Sequence, residues 1–381
     1  MLVPRLRPYS TSVFGEISQL AVTHGAIDLG QGFPDYEGPR AMHDAARAAI
    51  ATGVNHYTSA KGQPVLRDAI VAERARHMGE KYDAATEVVV TAGATEALTA
   101  ALLGLVEPGD EVILIEPYYD SYPAAVALTG ATRRTVAMVP DGDGFTLDLD
   151  ELRRTINPKT RLLVLNSPHN PTGSLLSDHD LRAIAELACD HDLPVISDEV
   201  YEHLVFDAIP HTSIASLPGM RDRTIVISGP AKTFNVTGWR IGWALGPEPL
   251  INAVFAAKQY LTFVPPSPFQ PAIAHALAHE QQWAAANRAA LQRKYRTLST
   301  GLRDLGFDVK RSAGGYFVCV DVGTDGTAFC RDLPARAGVA AIPVAALSAR
   351  GNWNTLVRFA YCKEDATLRD AITRLNAAGH P

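Results

Sequence analysis

Cysteine is scarce in this chain. Four in 381 residues (Cys189, Cys319, Cys330 and Cys362), with no two at CxxC spacing, exclude a disulfide framework and a thiol redox motif. Most lie among apolar neighbours and read as buried, reduced thiols. Long apolar runs are also missing. The longest, Ala97 to Val106, is broken by Thr99 and Gly104 and is too short to span a bilayer. The opening stretch MLVPRLRPYS has early arginines but no apolar run of signal-peptide length behind them, so a cytoplasmic protein is expected. Charge of one sign is lacking too. With 35 basic against 41 acidic residues and a net charge of −6, there is no polybasic surface for nucleic acid. Internal repeats, low-complexity tracts and long linkers are absent, and no metal is expected.

What is present is a recurring unit: a short β-branched run, a turn, then a helical pattern. The runs are Glu87–Thr91, Glu111–Ile115, Arg161–Asn166, Pro194–Ser197 and Thr224–Ser228. Each is continuously apolar rather than alternating, as strands are when helices cover both faces of a parallel sheet. Between them, Leu181, Ile184, Ala185 and Ala188 follow helical spacing, as do Leu368, Ala371, Ile372 and Leu375 near the C-terminus. The pattern predicts an α/β fold with a mostly parallel central sheet flanked by helices. From about Pro268 the character changes to one long helical pattern through about Leu305, then YFVCVDV, LVRFAY and a last helix. At this length two subdomains are expected. They are a large one over 46–270 and a smaller α+β one over 271–381, joined by the N-terminal segment 1–45.

Ligands of such sheets bind beyond the carboxyl ends of the strands, so the residues just after each run carry the functional reading. Gly93-Ala94-Thr95 forms a small-residue turn at a helix N-terminus, where free N–H groups suit a phosphate. Tyr118, Tyr119 and Tyr122 cluster after the second run, and one of them could stack on a flat ring. Asn170 is fixed in direction by Pro171, although NPTG is also ordinary turn chemistry. Asp198 ends an apolar strand and is costly to bury unpartnered. Tyr201, three residues on, reaches the same ligand only if the strand stops near Glu199. Lys232 follows the fifth run, with Pro230, Phe234 and Trp239 around it and Arg240 eight residues later.

In this order these segments resemble the fold-type I aminotransferases that use pyridoxal 5'-phosphate (PLP). The resemblance rests on GQGFPD (Gly30–Asp35), YTSAKGQPVLRDAI (Tyr57–Ile70), NPTG, DEVY, KTFNVTGWRIG and VRFAYCKED (Val357–Asp365), spread over almost the whole chain. GQGFPD, SPHNPTG and DEVYEHLVFD are most similar to the subgroup of kynurenine, glutamine, methionine and actinobacterial N-succinyldiaminopimelate aminotransferases.

The resemblance implies a role for each residue. Lys232 holds the cofactor covalently and later moves the Cα proton. Asp198 pairs with the pyridine nitrogen, Tyr201 and Asn170 with the ring's phenolic oxygen, and Tyr119 stacks on the ring. Gly93, Ala94, Thr95 and Arg240 hold the phosphate, and Tyr57 reaches it from the second subunit of a homodimer. Arg358 binds the substrate α-carboxylate, with Asn170 and Gly32 beside it. Many relatives place a hydroxyl three positions before the lysine, where this chain has Gly229, which leaves Ser228 as a candidate phosphate ligand. The expected reaction is ping-pong transfer of an amino group from an L-amino acid to a 2-oxo acid such as 2-oxoglutarate. The alternatives are a C–S β-lyase on the same fold and a non-catalytic PLP-sensing domain. The substrate side chain could meet Lys61 or Arg40 if anionic, or Phe14, Phe33, Tyr36, Tyr260 and Phe263 if apolar.

Overall fold

The computed structural model describes residues 2–379. Helix α1 (Val13–His24) is capped by the Ser12 hydroxyl, which accepts from the Phe14 N–H, and closed by left-handed Gly25. Strand β1 (Ile27–Asp28) and helices α2 (Arg40–Ala51) and α3 (Pro64–Met78) follow. The central part holds β2 (Val88–Thr91), β3 (Glu111–Glu116), β4 (Thr132–Asp141), β5 (Gly144–Leu147), β6 (Thr160–Asn166), β7 (Val195–Asp198), β8 (Thr224–Ser228) and β9 (Gly242–Leu245). Its helices are α4 (Ala94–Leu105), α5 (Ser121–Thr129), α6 (Leu149–Thr155), α7 (Asp178–Asp190), α8 (Pro230–Thr233) and α9 (Glu248–Lys258).

These strands form one eight-stranded sheet in the order β2-β9-β8-β7-β6-β3-β4-β5. Strands β4, β3, β6, β7 and β8 run parallel to one another, while β9 is antiparallel to both of its neighbours and β5 to β4. All five apolar runs lie on strands of this sheet, and helices cover both faces, so β2, β3, β7 and β8 are buried along their whole length. Strands β4, β5 and β9 are additional to the five runs. The four residues of β9, GWAL, are too few to show a period.

The remainder comprises α10 (Phe269–His279), α11 (Gln281–Asp304), β10 (Asp308–Val309), β11 (Phe317–Asp321), α12 (Gly326–Ala337), β12 (Val339–Ala340), β13 (Ile342–Pro343), β14 (Leu356–Ala360) and α13 (Asp365–Ala378). The single helical pattern expected up to Leu305 is therefore two helices, broken at Glu280. Strands β10, β11, β14 and β13 make a small antiparallel sheet. Strand β1 pairs in parallel with β12, and α1 packs on α12, so the N-terminal residues join this C-terminal unit. Helices α2 and α3 instead pack on α10 against the large sheet. A boundary at residue 45 thus passes through α2, and one at 270 through α10. The four cysteines are free thiols, and no described helix is long and apolar enough to cross a membrane.

Candidate active site

The C-terminal ends of β3, β6, β7 and β8 open into one cavity of about 390 Å³. The small sheet closes its other side through Phe317 and Arg358. Of the residues singled out from the sequence, Gly32, Gly93, Ala94, Thr95, Tyr119, Asn170, Asp198, Tyr201, Lys232, Arg240 and Arg358 all line it. Tyr57 and Ser228 do not.

Strand β7 stops at Asp198, which frees Tyr201 to turn back toward the same cavity. The buried Asp198 carboxylate accepts from the Tyr122 hydroxyl at 2.7 Å and from the Val200 N–H at 3.3 Å. Burial pushes this carboxyl up to about 6, against the pull of the Tyr122 hydroxyl, the Val200 N–H and the Lys232 charge. Asn166, at the end of β6, ties the floor together. Its amide donates to the Asp198 carbonyl at 2.9 Å, and its side-chain oxygen accepts from the Asn170 N–H at 2.7 Å.

Lys232 lies on the single turn of α8, and its Nζ donates to the Gly32 carbonyl at 3.1 Å. The amine also sits 5.2 Å from the centre of the Tyr316 ring and 5.7 Å from that of Tyr201. Burial lowers it to about 8; Arg358 and Arg240 push the same way, and Cys362 and Asp198 oppose them. The Tyr316 hydroxyl donates to the Lys232 carbonyl at 2.7 Å and holds the turn in place. Gly32 must be glycine, because a Cβ there would lie 2.3 Å from Phe317 Cζ.

At the other end, Gly93 precedes α4 with φ +85°. A Cβ on it would meet the Arg240 guanidinium at 2.6 Å. Arg240 itself is left-handed (φ +50°), a conformation that costs a non-glycine residue about 1–3 kcal/mol and is kept where the surroundings impose it. A helix N-terminus, a missing Cβ and a strained arginine thus meet at one point.

Arg358, on β14, is 1% exposed. It donates to Asn170 Oδ1 at 2.9 Å and to the Gly30 carbonyl at 2.7 Å, and stacks on Phe317 with 3.8 Å to the ring centre. Its Nε is buried without a partner, and neither hydrogen bond goes to a carboxylate. A buried cation with a spare donor is chemically suited to bind an anion.

Ser228 departs from expectation. Its hydroxyl faces away from the cavity and donates to Glu202 at 2.5 Å. Gly229 presses against the start of β9, where a Cβ would lie 3.0 Å from the Ile241 carbonyl, so position 229 itself has little room for a hydroxyl side chain. Tyr57 is 85% exposed, edge-on to Phe263. Lys61 and Arg40 are also outside the cavity; Arg40 pairs with Asp44 at 3.7 Å. The sequence assigns no role to Asn166, Asp120, Tyr316 or Phe317, and Tyr122 enters only as a member of a tyrosine cluster in which Tyr119 takes the stacking role. Only the position of Asn166 at a strand end could have flagged it.

The family Aminotransferase class I and II matches residues 24–375. The chain belongs to the class I and II aminotransferases. A probable N-succinyldiaminopimelate aminotransferase from Mycobacterium tuberculosis is 56% identical over 99% of this chain and 98% of its own length. The solved structure of N-succinyldiaminopimelate aminotransferase from that organism superposes with a TM-score of 0.98 at 56% identity, covering 100% of both chains. A methionine aminotransferase from Escherichia coli is 37% identical over 98% of each chain. The protein is an aminotransferase with the fold of its relatives, and its family uses PLP.

The residues present fit that cofactor. The cavity carries the buried Asp198 carboxylate, the desolvated Lys232 amine, and a cradle of anion-binding chemistry made by Gly93, the start of α4 and Arg240. When bound, PLP supplies an electron sink for the electrons released at the substrate Cα.

Proposed function

We propose that this aminotransferase holds PLP through Lys232 and uses Arg358 to take the α-carboxylate of an L-amino acid, transferring its amino group to a 2-oxo acid such as 2-oxoglutarate. The observation that carries this reading is Arg358, a buried guanidinium with no carboxylate partner and a free Nε on the cavity wall. The carboxylate of a substrate would neutralise it in bidentate fashion. Asn170 and the Gly30 carbonyl set the plane of the guanidinium and Phe317 backs its face, so the substrate arrives in one orientation. Asp198, held by Tyr122, keeps a negative charge where a ring nitrogen would lie. Lys232 is the general base: burial favours its neutral form, and its Nζ lies within reach of the Gly32 carbonyl at the substrate end. Gly93, Ala94, Thr95 and Arg240 receive the phosphate, Tyr119 covers the ring, and Tyr201 and Asn170 meet its hydroxyl.

The proposed donor is N-succinyl-LL-diaminopimelate, supported by 56% identity over the full length to the mycobacterial relative of that name. A methionine-type or aromatic donor is the second reading, favoured by Phe14, Phe33 and Phe317 on the cavity wall. Lys232, Arg240 and Arg358 are the only lysines or arginines among the described residues lining it. A cation for a distal carboxylate would therefore come from a second subunit. The exposed aromatics Tyr57, Tyr260 and Phe263, of which Tyr57 and Phe263 touch edge-on, are a surface on which a homodimer would seat that subunit.

Holoenzyme is to be assayed for glutamate formation from 2-oxoglutarate with N-succinyl-LL-diaminopimelate, methionine, kynurenine and glutamine as donors. The expected result is at least about tenfold higher kcat/KM for the first. A higher value for methionine or kynurenine would transfer the assignment to the second reading. Release of pyruvate from a cysteine-type donor without glutamate would overturn both. Lys232→Ala should lose turnover with every donor while keeping its fold by circular dichroism; persistent turnover would remove the covalent role.

A further inference from the structure

Behind the cavity floor, on the far side of the segment that follows β7, lies a second cluster of ionisable groups that the reaction does not use. Glu73 and His77 stand four residues apart on one face of α3. His203, from the turn after β7, meets them. Its Nε2 is 3.2 Å from Glu73 Oε1, and its ring stacks on His77 at 4.3 Å between centres. One ligand atom from each of the three lies within 4.8 Å of the other two. Two ligands at zinc's usual bond length of about 2.0–2.1 Å sit about 3.3 Å apart on a tetrahedron, so the Glu73–His203 edge already has the right span. His77 is exposed, in the last turn of its helix, and free to swing the remaining distance.

Two independent observations favour a cation here. The cluster opens on a cavity of about 310 Å³, which leaves room for a fourth, water ligand. The buried surroundings also carry more carboxylates than cations: Glu73, Glu80, Glu199 and Glu202 are all buried, against Arg74 as their one buried arginine and a His211 imidazole that meets Glu199 at 3.2 Å. Arg76 and Arg288 also line this cavity and reduce that excess without adding a ligand.

We propose that Glu73, His77 and His203 form a binding site for a borderline divalent cation of the zinc type, with two imidazoles and one carboxylate as ligands and water completing the shell. Such an ion would pin α3 to the six-residue segment that begins with Asp198 and includes Tyr201, and so clamp the back of the cofactor floor. It is a bracing site, since none of its ligands lines the catalytic cavity. No zinc-type ligand spacing announces it in the sequence, because 126 residues separate His77 from His203.

Phosphate-free holoenzyme titrated with Zn²⁺ against a chromophoric chelator tests this. One equivalent per chain is expected, with a Kd raised at least about tenfold in His77→Ala and unchanged in His275→Ala. His275 and His279 form the other close histidine pair, with 4.8 Å between their ring centres on α10. Cobalt(II) should give the visible bands of a tetrahedral site in wild type but not in His77→Ala, and zinc should raise the thermal midpoint of the first protein alone. Absence of saturable binding to wild type, or a loss of binding in His275→Ala, would overturn the proposal.

Discussion

Two arginines are almost completely buried in this aminotransferase, and they are treated in opposite ways. Arg74 on α3 meets three carboxylates: Glu80 and Glu199 at 2.8 Å each, and Glu202. Burial alone would lower its proton affinity, but those carboxylates raise it well above the usual arginine range. Arg358 meets none. It has two neutral oxygens, a phenylalanine face and one unpartnered N–H, and burial lowers its proton affinity. A buried charge is costly unless compensated. Where the protein supplies the compensation, the result is a structural cross-link; where it withholds it, the guanidinium stays able to take an external anion, the role proposed for Arg358. One hexapeptide, DEVYEH, feeds both regions. Asp198 and Tyr201 line the cavity, while Glu199, Glu202 and His203 turn to Arg74 and Glu73.

The contrast can be broken at either arginine. Arg74→Met should be the more damaging change to the fold. It leaves three buried carboxylates without their shared cation, and the free energy of unfolding should fall by about 3–5 kcal/mol. Urea denaturation followed by fluorescence measures this. A loss below about 1 kcal/mol would mean that protonation of the carboxylates relieves the cluster without Arg74. Arg358→Lys should leave the urea midpoint nearly unchanged but lower kcat/KM for the amino donor about 10²–10³-fold, because a point charge cannot make the bidentate contact. If stability fell and kcat/KM held, the roles assigned to the two arginines would be exchanged.

The sequence discloses the cavity side of this contrast far better than the buried network. Five continuously apolar runs place five strands of the large sheet, and the residues after them lead to Gly93, Asn170, Asp198 and Lys232 because a parallel sheet gathers its strand ends on one edge. Arg358 is reached only through the resemblance of VRFAYCKED, since β14 belongs to a different sheet. The Arg74 network leaves no trace. No pattern marks Glu80, Glu199 and Glu202 as partners of one cation, and Arg74 lies 125 or more positions from two of them. Ser228 was misassigned for a related reason. Chain position sets how near it lies to Lys232, but the pleat of β8 and the presence of Glu202 set where its hydroxyl points. Tyr122, Tyr316 and Phe317 share this fate, because an aromatic in a strand or helix looks the same whether it packs a core or holds a catalytic group.

Tyr122 is where the two regions come nearest in kind, because Asp198 is a buried carboxylate supported by a hydroxyl rather than by an arginine. Burial raises this carboxyl to about 6, the Tyr122 hydroxyl, the Val200 N–H and the Lys232 charge pull against it, and in the proposed role its charge serves the ring nitrogen. A hydroxyl donated to a carboxylate favours the charged form, so its loss raises the proton affinity further. Tyr122→Phe should therefore shift the acid limb of the kcat–pH profile to higher pH. At neutral pH it should lower kcat about tenfold, the lower end of the value of one buried hydrogen bond to a charged group, roughly 1.5 kcal/mol. The donor KM should stay within about twofold, because Tyr122 does not touch Arg358's ligands. A steady-state profile from pH 5 to 9 separates the outcomes. A reduced kcat with an unmoved acid limb would assign Tyr122 to packing alone, and Asp198 would then owe its charge in the working enzyme to the bound ring.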